Sequence, residues 1–240
     1  MNKTQNFKEN YHILSKSGII VIMIPYFLLL LQATIFFVSA GNINIPRAWL
    51  FFAISFISYS SSSIILYKYN PELLNQRGKR QQGAKIWDEV LMRVINLIGL
   101  LFLPLIAGLD IGRYHWSNIN IYFALVGFVL YIISTVFVTW AMVVNKHFEP
   151  TVRIQKERTH KVIMEGPYKY LRHPGYFGSV LFNIAAPLIL GSLFAFIPAA
   201  LATILLIIRT YVEDSTLCKE LKGYSKYAET VKSRIFPGIW

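Results

Sequence analysis

A chain of 240 residues that is 55% hydrophobic, with a mean hydropathy of +0.46, carries more apolar surface than a water-soluble domain of that size can hide. Its formal net charge of +12 would point to nucleic acid in a soluble protein, but here the basic residues lie between apolar stretches, where they meet anionic lipid headgroups. The single cysteine, Cys218, excludes an intramolecular disulfide and any multi-cysteine metal site.

The first apolar stretch, near 17–40, follows Lys3, Lys8 and Lys16. It is too long for a signal-peptide core and has no clear small-residue cleavage site, so it reads as an anchor. Further stretches near 48–67, 90–109 and 119–144 are each long enough to cross about 30 Å of hydrocarbon as a helix. Between the second and third lies "YKYNPELLNQRGKRQQGAKIWDE", in which Pro71 breaks the helix and a short polar helix and a basic loop follow. The serine cluster at 58–63 suits close helix packing within a span.

After 144 comes a long polar segment. In it "TVRIQ" and "HKVIM", separated by "KERT", read as two short strands of a hairpin. The last apolar block, 177–212, contains Pro187, Gly191 and Pro198 and reads as a helical hairpin, about 177–190 and 193–212; one long kinked helix is the alternative. The tail beyond Arg209 reads as a helix leaving the membrane, interrupted at Gly223 and ended by Pro237.

Six crossings divide the 24 Lys and Arg residues into 22 on one side and 2 on the other. That asymmetry predicts both termini in the cytoplasm. The expectation is therefore an all-α, multi-pass integral membrane protein with about six transmembrane helices, a cytosolic loop and a C-terminal helix. Residues 1–144 form a four-span region with little polar chemistry, and 145–240 hold the chemistry.

The polar groups of that second region cluster in "GPYKYLRHPGYFG", residues 166–178. Gly166-Pro167 and Pro174-Gly175 each make a turn, and Pro174 pushes His173 toward an extended backbone. A stiff basic and aromatic turn beside a membrane suits either re-entry of the chain or recognition of a compact polar molecule. About 30 residues on, Arg209 and Glu213 are four apart on one helix face, so each lowers the cost of burying the other.

The ordered pattern H-x-V-x-x-x-G-P-Y-x-x-x-R-H-P-x-Y-x-G from His160 to Gly178, then R-x-x-x-E-D from Arg209, resembles the isoprenylcysteine carboxyl methyltransferase family. The ending L-x-G-Y-x-x-Y…V-x-x-R-I-x-P-G-I-W is similar to its bacterial-type branch. The family is related to the phospholipid N-methyltransferases, and the resemblance covers about 145–240. It implies S-adenosylmethionine as methyl donor, in a bacterial or archaeal cell membrane. By position it places His160, Lys161, Val162, Ile163 and Tyr168 along the cofactor's cleft. It wraps the cofactor with His173, Pro174, Gly175 and Tyr176. The resemblance further implies that Glu213 contacts the cofactor's amino group and that Arg209 faces the methyl acceptor, which makes Arg209 and Glu213 the expected catalytic pair. Where the family often has a second glutamate this chain has Asp214. A further cofactor contact falls at Arg153 or Gln155.

The partners implied are membrane lipids and a lipophilic or lipidated acceptor, such as an isoprenylcysteine carboxylate, with no nucleic acid and no obligate protein partner. Arg209 is suited to grip a carboxylate by two parallel hydrogen bonds, or a lipid phosphate. Phospholipid N-methylation and NADPH-dependent reduction of the sterol reductase type are the alternatives, and a scaffold without catalysis is a third. His147 is placed to join the site, whereas His12 and His115 are not, and five dispersed histidines make no metal site.

Overall fold

The computed structural model describes residues 14–79 and 83–240; His12, Lys3 and Lys8 lie outside them. Five helices are long and apolar enough to cross a membrane. In chain order the first four are α1 (Lys16–Ala40), α2 (Pro46–Tyr69), α4 (Ile86–Tyr114) and α5 (Tyr122–Val144), with the short polar α3 (Pro71–Arg77) between α2 and α4. The apolar helix α6 (Pro174–Leu190) and the fifth long helix, α7 (Phe196–Glu220), form the C-terminal hairpin, followed by α8 (Tyr224–Thr230). The described residues contain no strand.

Local chemistry sets the helix ends. Ser15 caps α1 by accepting from the Gly18 N–H, and Gly41 closes it in the left-handed conformation at φ 66°. Pro46, Pro71 and Pro174 stand in the first turns of α2, α3 and α6, where a missing N–H costs nothing. Ser55, Ser60 and Ser61 return their hydroxyls to carbonyls four residues back, which satisfies them inside an apolar helix. Helix α4 runs past both ends of the expected 90–109 span and includes two π-helical turns, Ile98–Phe102 and Leu109–Tyr114.

Helices α5 and α6 make the closest pairing. A Cβ on Gly178 would stand 2.6 Å from the Val138 side chain, and one on Gly127 would stand 2.8 Å from Ile189. The Ser134 hydroxyl also donates to the Gly178 carbonyl at 2.7 Å. In lipid no hydrophobic effect draws helices together, so close backbone approach and interhelical hydrogen bonds must do so.

The 177–212 block is two helices, not one kinked helix. Gly191 at φ 86° ends α6, and the turn is held from both sides. Arg47 donates to the carbonyls of Ile189, Leu188 and Ile119, while Asp110 accepts from Ser192 and Ser117 at 2.5 and 2.6 Å. With 17 residues, α6 is about 26 Å long, close to the least that can span the hydrocarbon.

Two expectations need correction. The strands at "TVRIQ" and "HKVIM" do not pair, because Val152 is already used: its N–H goes to Asp88 Oδ2 at 2.7 Å and its carbonyl accepts from Lys85. The two segments flank a 3-10 turn at Lys156–Arg158 instead. The tail breaks at Gly223 (φ 87°) as expected, but its helix stops at Thr230, well before Pro237. Residues 231–240 turn back, and Ser233 and Arg234 offer their carbonyls to the backbone N–H groups of Arg172 and His173.

Candidate active site

The stiff turn and the acid-bearing end of α7 meet. Between them, the 145–165 segment and the adjoining ends of α4 and α5, lies a cavity of about 320 Å3. Its walls include His160, Lys161, Val162, Ile163, Tyr168, His173, Gly175, Tyr176, Arg209 and Glu213. Pro174 is buried behind the wall, where it starts α6. Arg153, Gln155 and His147 also line the cavity, whereas His115 lies far off at the end of α4. Met92, Val138 and Met142 carry its lining into the spans α4 and α5.

Asp214 holds the two halves of the site together. Its carboxylate, almost fully buried, accepts from Arg172 (2.9 Å), Arg234 (2.9 Å) and the Tyr224 hydroxyl (2.9 Å), with His173 Nε2 at 3.3 Å. These donors come from the turn, the tail and α8. The His173 ring in turn stacks on Tyr176, 5.4 Å between centroids and 4° from parallel. A carboxylate sharing several cationic donors is the arrangement that repays burial of the charges.

Arg209 and Glu213 share a face but do not form the tight pair expected. The guanidinium lies 3.8 Å from Glu213, yet it meets Asp88 through two hydrogen bonds, Nε to Oδ1 at 2.6 Å and Nη2 to Oδ2 at 3.1 Å. It also donates to the Pro150 carbonyl and the Tyr176 hydroxyl. The Tyr176 hydroxyl donates to Glu213 Oε2 at 2.6 Å. Asp88 is fully buried and joins α4, the 145–165 segment and α7 at one point. It is the partner of a candidate site residue that the sequence does not reveal. Its signal is an acid in the first turn of a span, "KIWDE", opposite a buried arginine in need of a counter-ion.

A second polar set forms the other wall. Gln155 Nε2 donates to the His147 carbonyl at 2.9 Å, which fixes the amide orientation. Its Oε1 therefore accepts from Arg158 (2.8 Å) and from His147 Nδ1 (3.0 Å). His147 thus carries its proton on Nδ1, and its buried Nε2 is a lone-pair acceptor without a partner among the described residues. His160 lies over it at 4.3 Å between centroids. Burial lowers both histidines, with the neighbouring arginines adding to it; His160 falls to about 4 from an ordinary 6.5.

A histidine that stays neutral when folded but takes a proton at 6.5 when unfolded favours unfolding as the pH falls between those values. Thermal midpoints in detergent will therefore fall as pH is lowered from about 6.5 toward 4, and His160→Gln will flatten that fall. A wild-type midpoint constant across this window would contradict the placement of the two rings.

Residues 125–219 match the model of the isoprenylcysteine carboxyl methyltransferase (ICMT) family. The fold is similar to the solved structure of the eukaryotic intramembrane Ras methyltransferase ICMT, with a TM-score of 0.51 and 16% identity, covering 94% of this chain and 99% of that one. A search of curated proteins finds no match.

Proposed function

We propose that this chain, whose residues 125–219 match the isoprenylcysteine carboxyl methyltransferase family, is a membrane methyltransferase of that family that uses S-adenosylmethionine and methylates a lipophilic or lipidated acceptor. The observation that carries the reading is a cavity bounded by the turn of 166–178, the end of α7 and the apolar side chains of α4 and α5. Such a space is open in character to a polar nucleoside at one end and to an acceptor lying among lipid tails at the other.

The residues present suit that donor. Glu213 has one oxygen held by Tyr176, and among the described residues its other oxygen accepts no hydrogen bond, so it is available for an ammonium group. His147 Nε2 is a buried acceptor awaiting a donor such as an amino group of a nucleobase. The stacked His173 and Tyr176 rings offer a flat wall. Gly175 lets the Phe148 ring pack where a Cβ would stand 2.6 Å from it.

When bound, the donor supplies an electrophilic methyl group on a sulfonium. The chain's own work is alignment and exclusion of water, which accounts for much of the acceleration when a nucleophile is already ionised. In this reading Glu213, His173 and Tyr176, with His160 to Ile163 and Tyr168, hold the donor. Arg209 is locked by Asp88 as a fixed positive charge facing the acceptor. Its role is to orient and to balance charge, since its hydrogen-bonding fork is engaged.

Incubating membranes that contain the protein with methyl-labelled donor tests the reading. Label is expected in a lipid or lipidated-protein fraction, and Arg209→Lys should cut it roughly tenfold or more by losing the paired contact with Asp88. Donor-independent turnover with NADPH would favour the reductase alternative and end this one.

A further inference from the structure

The cavity wall holds four arginines, and three have carboxylate partners. Arg209 is matched by Asp88, Arg153 by Glu149 and Glu157, and Arg172 by Asp214. The fourth is Arg77, in the last turn of α3. It donates Nη1 to the Phe148 carbonyl at 3.0 Å and lies over the Phe148 ring. Among the described residues no carboxylate oxygen comes within 4 Å of it. The acid it faces, Glu149, has both oxygens taken by Arg153 at 2.6 and 3.0 Å. Burial lowers Arg77 to about 10, only partly offset by Glu149 and Tyr176.

The side chain is on a firmly held element. The Ser15 N–H donates to Asn75 Oδ1 at 2.8 Å and the Ser17 hydroxyl to the Asn75 carbonyl. A Cβ on Gly78 would stand 2.3 Å from the Ser17 carbonyl oxygen, so the end of α3 packs directly on α1. A fixed, half-buried guanidinium on the cavity wall, with N–H donors to spare and no carboxylate partner among the described residues, is placed to receive an anion.

We propose that Arg77 is the anion subsite of this cavity and receives a carboxylate of the bound ligand. The inference rests on the reading above, which provides two carboxylates of the same chemistry: the amino-acid end of the methyl donor and the free carboxyl group of an isoprenylcysteine-like acceptor. Arg77 lies outside the 125–219 segment, so the N-terminal part of the chain contributes directly to recognition.

Calorimetry on the full chain in detergent separates the cases. The probes are adenosylhomocysteine, its decarboxylated analogue, and a farnesylated cysteine as free acid and as methyl ester. If the donor's carboxylate is the one held, the wild type binds adenosylhomocysteine roughly tenfold or more tighter than the decarboxylated analogue, and Arg77→Gln removes the difference. If it is the acceptor's, the same pattern appears between farnesylcysteine acid and ester, and Arg77→Lys retains part of it. The comparison within the wild type stands even if a variant fails to fold. Equal affinities within both pairs for the wild type would overturn the proposal while leaving the methyltransferase reading intact. Wild-type protein that binds none of the four would overturn both.

Discussion

Asp214→Ala will loosen the whole C-terminal third of the protein. Its carboxylate accepts from Arg172, Arg234 and Tyr224 and neighbours His173, all but Arg234 buried. Removing one partner of a buried ion pair costs about 3–5 kcal/mol, because the cations left behind cannot regain water. Against a folding stability of about 5–15 kcal/mol that is a large fraction. The thermal midpoint in detergent should drop sharply. Protease should cut between Glu220 and Trp240, since the backbone bonds from Arg172 and His173 to residues 233 and 234 depend on the same cluster. Asp214→Asn keeps two acceptor lone pairs and should fall between. A midpoint and digestion pattern matching wild type in Asp214→Ala would show that the network is not what holds the tail.

That cluster also shows where the sequence was readable and where it was not. The spans were legible because lipid leaves few alternatives to a run of about 20 apolar residues, and the Lys and Arg asymmetry checked them independently. The turn of 166–178 and the break at Gly223 were legible because Pro and Gly act locally. The tail's return was not, since nothing in "VKSRIFPGIW" says that residues 233 and 234 will find the backbone of 172 and 173. The partner of Arg209 was hidden for the same reason. Asp88 is 121 positions away, and a contact of that separation leaves no period or spacing to read. Glu213, four residues off, was the natural choice from helix geometry, and it stands at 3.8 Å while Asp88 takes the hydrogen bonds. The β-hairpin expectation failed on a similar long-range contact, between Asp88 and the Val152 N–H. Asp214 was visible only as a departure from a motif, yet it proves to be the centre of a buried ion cluster beside the cavity.

The second large effect concerns Glu213. Of the acids lining the cavity, Glu149 is taken up by Arg153, while Glu213 is engaged through Oε2 and half open to the space. Glu213→Ala deletes the group proposed to hold the ammonium of the methyl donor, and it leaves Asp88 and Arg209 paired, so the fold should survive. Charge-assisted hydrogen bonds of this kind contribute about 1.5–3 kcal/mol each, which corresponds to roughly 10- to 100-fold in affinity. The direct measurement is titration of purified protein with adenosylhomocysteine, wild type beside Glu213→Ala, with the thermal midpoint of each recorded. Saturable binding to the wild type, and its weakening by at least about tenfold in a variant that still folds, is the result predicted. Binding absent from the wild type, or unchanged in the variant, would contradict the claim that the turn and the end of α7 enclose the methyl donor.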